Sequence, residues 1–214
     1  WSGPATDAIP ADVLETFSTH VSTLRSPGHT SERKPYLVQW LGRYPKHDPA
    51  SPWARIADAL HPIAQDYLET PQLFFYNLWQ SLPTTAPPRD SQLWHQDIED
   101  TRLLKAFLYL TDVTAGAGPL TYIPGTHWRG TKHIAPRKTL QRMQHGPLVA
   151  RVSDAQMARC VSAEEWRTLT VPKGTLVLCD TTGWHKGGYA TTTERLCAVW
   201  QWVSASCTYA PRFQ

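Results

Sequence analysis

Apolar positions recur first at helical and then at strand spacing. Between residues 9 and 24, Ile9, Val13, Leu14, Phe17, Val21 and Leu24 fall on one side of a 3.6-residue repeat. Pro10 suits the opening turn, where its missing N–H is no loss, and Ser26-Pro27-Gly28 closes the segment. Tyr36 to Trp40 reads as a strand. Ser51-Pro52 is a cap followed by a first-turn proline. Behind it Ile56, Ala59, Leu60, Ile63, Ala64 and Tyr67 line one face of a second helix. From there the period drops to two. Leu73 to Trp79 is aromatic-rich and β-prone. In Leu103 to Leu110, Lys105, Phe107 and Tyr109 share one face, and Leu104, Ala106, Leu108 and Leu110 share the other. Shorter strand signals follow at 120–127, 169–171, 174–179 and 195–203, with a capping-box pattern at Ser162 to Glu165. Gly183, Gly187 and Gly188 punctuate the last connection, which is expected to be a hairpin.

Two helices followed by many short strands with Gly/Pro turns predict a mainly β chain, a β-sandwich or jelly roll with the helices packed outside. No repeat, low-complexity tract or linker interrupts the chain. Residues 1–214 therefore read as one domain, with a mostly helical portion over 1–69 and a β core over 70–203.

Composition narrows the class. A chain of 214 residues, 41% hydrophobic and 18% charged, can bury one good core. A net charge of +3 gives no case for a nucleic-acid partner, and no run of about 18 apolar residues predicts a membrane span. The four cysteines show no Cys-x-x-Cys spacing and read as free thiols of a reducing, cytoplasmic setting rather than a zinc site. The chain opens on Trp1 rather than Met, so a removed targeting segment stays open. Ten tryptophans are many for this length; they fill a core or line an aromatic pocket. Between Val113 and Ser153 there is no acid but six bases: Arg129, Lys132, Arg137, Lys138, Arg142 and Arg151. This stretch is either a solvated basic loop or a positive field suited to an anionic small-molecule substrate.

The candidate chemistry sits at Trp94-His95-Gln96-Asp97, with His185 ninety residues later and Arg195 ten beyond. In extended chain His95 and Asp97 point the same way. Two imidazoles and one carboxylate make the facial triad of non-haem Fe(II) oxygenases. His-x-Asp alone is weak: nine His and eleven Asp in this length give about half a match by chance.

Context raises its weight. Four stretches occur in order: Trp94-His95-Gln96-Asp97; Phe107 to Val113; Gly118-Pro119-Leu120 with Pro124-Gly125-Thr126-His127; and Pro172-Lys173-Gly174-Thr175 with Asp180, His185 and Arg195. Together they resemble the phytanoyl-CoA dioxygenase-like family of Fe(II)/2-oxoglutarate oxygenases, over residues 70–203. The resemblance implies a double-stranded β-helix (jelly roll, cupin-like) with iron in its open mouth. It implies iron ligands at His95, Asp97 and His185, and Arg195 as the partner of the distal carboxylate of 2-oxoglutarate. Asn77 falls where the family often places a polar group near the cosubstrate. Lys105 faces the same cavity by strand parity, and Thr121 is a neighbouring hydroxyl that could assist.

The chemistry fits these residue types. A facial triad leaves three positions, two for the keto acid and one for O2. Imidazole and carboxylate suit Fe(II), whereas all-oxygen cages favour Mg or Ca and thiolates favour Zn. A guanidinium grips a carboxylate with two parallel bonds. The implied reaction consumes 2-oxoglutarate and O2, releases succinate and CO2, and oxidises a small molecule. The carboxylate at Asp97 favours hydroxylation over halogenation. Two alternatives stay open: a metal- or ligand-binding jelly roll without turnover, and a carbohydrate-binding sandwich.

Overall fold

The computed structural model describes residues 1–24, 29–31, 34–136, 139–142 and 148–213. Its strands are β1 (Ser2–Pro4), β2 (His29–Ser31), β3 (Lys34–Gln39), β4 (Pro71–Ser81), β5 (Leu103–Tyr109), β6 (Thr121–Tyr122), β7 (Thr139–Arg142), β8 (Leu148–Arg151), β9 (Arg167–Thr168), β10 (Thr175–Cys179), β11 (His185–Lys186) and β12 (Arg195–Ser204). Helices α1 (Ala11–Thr23), α2 (Pro52–Leu68) and the one-turn α3 (Asp154–Met157) complete it.

Seven strands form one sheet in the order β1-β10-β5-β12-β4-β3-β2. A smaller sheet runs β11-β6-β9, and a bridge between His95 and His185 adds the His95 stretch at its edge. The two sheets face each other as a jelly roll, the double-stranded β-helix expected from the sequence. Among the described residues no helix is long and apolar enough to cross a membrane.

Strand parity decides what each face meets. The outer face of the large sheet carries Leu104, Ala106 and Leu108 of β5, Tyr76 and Leu78 of β4, and Trp200 and Trp202 of β12. These pack on Phe17 of α1 and on Trp53, Ile56, Leu60, Ala64 and Leu68 of α2. Phe17 meets Trp53 edge-on at 4.8 Å, and the Trp200 indole N–H donates to the Trp53 carbonyl at 3.0 Å. Each such side chain contributes about 1.5–3 kcal/mol by leaving water, which is what fastens the helices outside the roll. Ser51 caps α2 by accepting from the Ala54 N–H at 3.2 Å. The inner face carries Phe75, Phe107, Tyr109, Val177, Cys197 and Val199. The outer face of the small sheet buries Trp94, Ile123 and Trp184 against Val152, Met157 and Val161.

The structure differs from expectation at four places. Strands 174–179 and 195–203 are not a hairpin: β5 lies between β10 and β12 and pairs with both. The connection instead crosses to the small sheet and deposits His185 there. Residues 1–69 are less helical than expected, because β1, β2 and β3 all join the large sheet. The capping box lies at Ser153–Gln156, not at Ser162, where the hydroxyl only accepts from Glu164 in a single 3-10 turn. The strand signal at 120–127 shrinks to Thr121–Tyr122 before Pro124-Gly125 turns the chain, Gly125 holding a φ of 79°. Ser26-Pro27-Gly28 lies outside the described residues.

Candidate metal centre

His95 and His185 are cross-strand partners. Each backbone N–H donates to the other's carbonyl, at 2.8 and 3.0 Å, and the ring centroids are 4.2 Å apart. Asp97, two residues on, is tied by its N–H to the Thr181 carbonyl at 2.9 Å. The ligand atoms of His95, Asp97 and His185 all lie within 4.8 Å of one another. Nε2 of His95 is 3.9 Å from Asp97 Oδ1, and Nε2 of His185 is 3.8 Å from Oδ2.

Both imidazoles are aimed by their own strands. His95 Nδ1 lies 2.8 Å from the Leu93 carbonyl and His185 Nδ1 lies 2.9 Å from that of Gly183. A carbonyl only accepts, so Nδ1 carries the proton and Nε2 presents its lone pair to the centre. Burial disfavours the charged ring and lowers both pKa values, His95 well below its ordinary value with His185 adding to the effect. Buried Arg151 lowers both further. Burial also works against a charged Asp97, but the Lys105 ammonium, by charge and by hydrogen bond, holds the carboxyl well below the usual carboxylate range. The centre therefore offers two neutral nitrogens and one carboxylate at neutral pH. Cys179 is cross-strand from Lys105, but burial pushes its thiol up to about 12, so no thiolate competes.

Arg195 lies 8% exposed at the start of β12. Its Nη1 donates to the Gly118 carbonyl at 2.5 Å and its Nη2 to Ser81 Oγ at 3.2 Å, with Tyr109 beneath at 5.8 Å. Its Nε is buried with no hydrogen-bond partner among the described residues. Gly188, at φ 80°, lets the chain close over it: a Cβ there would lie 3.2 Å from Ser81 Oγ and 3.4 Å from Arg195 Nη2.

The other sequence-predicted residues separate. Lys105 sits on the cavity face with Phe107 and Tyr109, as parity predicts, but its ammonium goes to Asp97 Oδ2 at 2.5 Å. Asn77 is committed elsewhere: its amide donates to the Gly42 carbonyl at 2.7 Å and accepts from Leu41 N–H, fixing the turn after β3. Thr121 faces away from the centre. It is paired across the strands with Lys186, whereas His185 pairs with Tyr122, so it shares the outer face and its hydroxyl meets Thr168 at 3.2 Å. Sequence reading missed Thr181, whose hydroxyl donates to Asp97 Oδ2 at 2.5 Å. It also missed Gln201, which is fully buried beside Lys105 on β12, its amide atoms without hydrogen-bond partners among the described residues. No sequence signal marks either residue. Of the six bases, Lys132 pairs with Glu165 and Arg129 is exposed; Arg137 and Lys138 lie outside the described residues.

The family model for phytanoyl-CoA dioxygenase (PhyH) matches residues 46–197, a span that holds the triad and Arg195. The chain belongs to the phytanoyl-CoA dioxygenase family. Its function is of the Fe(II)/2-oxoglutarate oxygenase type. Structures of similar fold include the epimerase SnoN in complex with Fe3+, α-ketoglutarate and nogalamycin RO, at 16% identity and TM-score 0.59, covering 99% of this chain and 81% of that one. HygX from Streptomyces hygroscopicus with nickel, 2-oxoglutarate and hygromycin B matches at 14% and 0.58, covering 100% and 91%. The α-ketoglutarate-dependent carbocyclase SnoK from nogalamycin biosynthesis matches at 19% and 0.52, covering 98% and 78%. At these identities the likeness speaks for the fold. No curated protein matches the sequence.

Proposed function

We propose that His95, Asp97 and His185 hold Fe(II), that Arg195 takes the distal carboxylate of 2-oxoglutarate, and that the protein oxidises a small molecule, most simply by hydroxylation. The carrying observation is the convergence of the ligand atoms of His95, Asp97 and His185 within 4.8 Å, with each Nδ1 turned to a backbone carbonyl. That donor set suits Fe(II). The partnerless Nε of Arg195, in a pocket with fixed Nη atoms, suits a carboxylate. When bound, Fe(II) and 2-oxoglutarate would let O2 act as the oxidant of an unactivated C–H bond.

The chain's own part is positional. The Leu93 and Gly183 carbonyls keep the rings aimed and neutral, so no proton must leave when metal arrives. Ser81 and Gly118 hold the Arg195 guanidinium at the start of β12. The aromatic inner face of β4 and β5 keeps water out. Asp97 fills the position that a halide would need, which supports hydroxylation over halogenation.

A second reading is epimerisation or ring closure, supported by the likeness to SnoN and SnoK, described as epimerase and carbocyclase. SnoN and HygX structures hold nogalamycin RO and hygromycin B, which supports a small-molecule substrate here. An anionic substrate draws no support from Lys132, which pairs with Glu165, or from Arg151, which is buried.

The test is anaerobic titration of the apo-protein with Fe(II) and 2-oxoglutarate, followed by the visible charge-transfer band of the chelate. The band is expected in wild type and absent in His185→Ala. Iron binding without a band in wild type would turn the reading to a metal-binding jelly roll. With the band in hand, product analysis separates hydroxylation, a gain of one oxygen, from epimerisation, with no change in mass.

A further inference from the structure

We infer that Lys105 and Thr181 act as a clamp that keeps Asp97 a one-oxygen ligand. This rests on the reading of His95, Asp97 and His185 as the iron site. The two carboxylate oxygens of Asp97 are treated unequally. Oδ2 accepts from Lys105 Nζ and from Thr181 Oγ1, both at 2.5 Å. Oδ1 accepts no hydrogen bond from the described residues; the two oxygens lie equally close to the rings, Oδ1 3.9 Å from His95 Nε2 and Oδ2 3.8 Å from His185 Nε2, so they differ in their donors and not in their distances. Two charge-assisted donors on one oxygen fix the rotation of the carboxylate and occupy the lone pairs a second metal bond would use.

The clamp is built from rigid parts. Lys105 lies within β5 between two paired strands, cross-strand from Cys179 and Gln201, and is 7% exposed. Thr181 is fully buried. It holds Asp97 twice, through its own carbonyl on the Asp97 N–H and through its hydroxyl on the side chain.

The consequence is a count of positions. With one oxygen from Asp97, three protein atoms leave three of six positions for cosubstrate and O2. With two oxygens from Asp97, one of those positions is lost. Lys105 does not serve metal affinity, since an ammonium beside a dication repels it. Its removal therefore keeps or tightens Fe(II) binding while weakening the cosubstrate chelate. A merely structural lysine would lose both together.

The experiment compares wild type with Lys105→Met, Thr181→Val, the double variant and Thr181→Ser, all checked by circular dichroism for the native fold. Fe(II) binding is measured anaerobically by dialysis, and 2-oxoglutarate binding by the chelate band at saturating Fe(II). The double variant is expected to hold Fe(II) at least as well as wild type, yet bind 2-oxoglutarate measurably more weakly. Thr181→Ser keeps the hydroxyl and is expected to match wild type. The clamp is overturned if the double variant forms the band with wild-type affinity, if iron and cosubstrate binding fall in parallel, or if Thr181→Ser behaves like Thr181→Val. A wild type that binds no Fe(II) overturns the iron reading itself, a result distinct from these.

Discussion

Arg195→Met is the sharpest test of how the cosubstrate is held. Methionine keeps the length and volume of the stem but removes the charge and every donor. In the protein Nη1 and Nη2 are already committed to Gly118 and Ser81, while Nε is buried without a partner among the described residues. An incoming carboxylate would therefore meet Nε together with a remaining N–H of Nη1 or Nη2, two charge-assisted bonds. At about 1.5–3 kcal/mol for each hydrogen bond to a charged group, losing both costs up to about 3–6 kcal/mol, roughly a hundred- to ten-thousand-fold in 2-oxoglutarate affinity at 1.4 kcal/mol per decade. Arg195→Lys retains one charge on a flexible stem and should fall between wild type and Met. The assay is anaerobic titration of the Fe(II) protein with 2-oxoglutarate, with Fe(II) affinity measured separately as a control that should not change. A Met variant with native circular dichroism and unchanged 2-oxoglutarate affinity would refute the assignment and move the carboxylate to another residue.

Asp97→Ala removes a ligand and strands the buried Lys105 ammonium; metal binding should be lost and thermal stability should fall, by about 3 kcal/mol for a broken buried pair, measured by denaturant unfolding of the apo-protein. Gly118→Ala should be poorly tolerated, because Gly118 holds a φ of 71° and an added Cβ would meet Ala190 N at 2.6 Å; a melting temperature equal to wild type would contradict this. Acid should weaken the apo-protein from about pH 6.5 downward. The unfolded chain takes up protons on His95 and His185 near their ordinary value, the native state only at lower pH, so stability falls as pH falls through that window. The lowered Asp97 acts in the same direction at more acid pH. A flat melting temperature between pH 7 and 5 would count against the neutral, buried rings.

Much of this site was legible because it depends on short-range spacing. His95 and Asp97 are two apart on one strand, and parity alone placed Lys105 on the cavity face with Phe107 and Tyr109. Parity also explains the failure at Thr121: neighbours along a strand face opposite ways, so a motif's position does not say which residue points inward. The expected hairpin failed for a different reason. Nothing in residues 180–194 tells whether the chain returns beside β10 or crosses to the other sheet, because glycines permit both. Asn77 lies cross-strand from Val199, but its amide is taken up by the turn at Leu41 and Gly42, the latter 35 residues away, a pairing that no motif announces. Thr181 and Gln201 are ordinary strand and loop residues until the two sheets meet.

The two histidines take their aim from carbonyls only two residues back, at Leu93 and Gly183. No distant loop is needed to orient either ring. Between Pro124 and Trp166 the strands that carry the ligands still need fixed partners: Val152 pairs with Trp94, and Thr126 accepts from the Trp184 N–H at 2.8 Å. The local aiming of the rings nonetheless gives an evolving lineage room to exchange one substrate for another while the oxidising centre stays put. It also points to a practical route for redesign: graft new loops between Thr126 and Arg151, and leave residues 93–97, 181–185, Thr126, Val152 and Asp154 untouched.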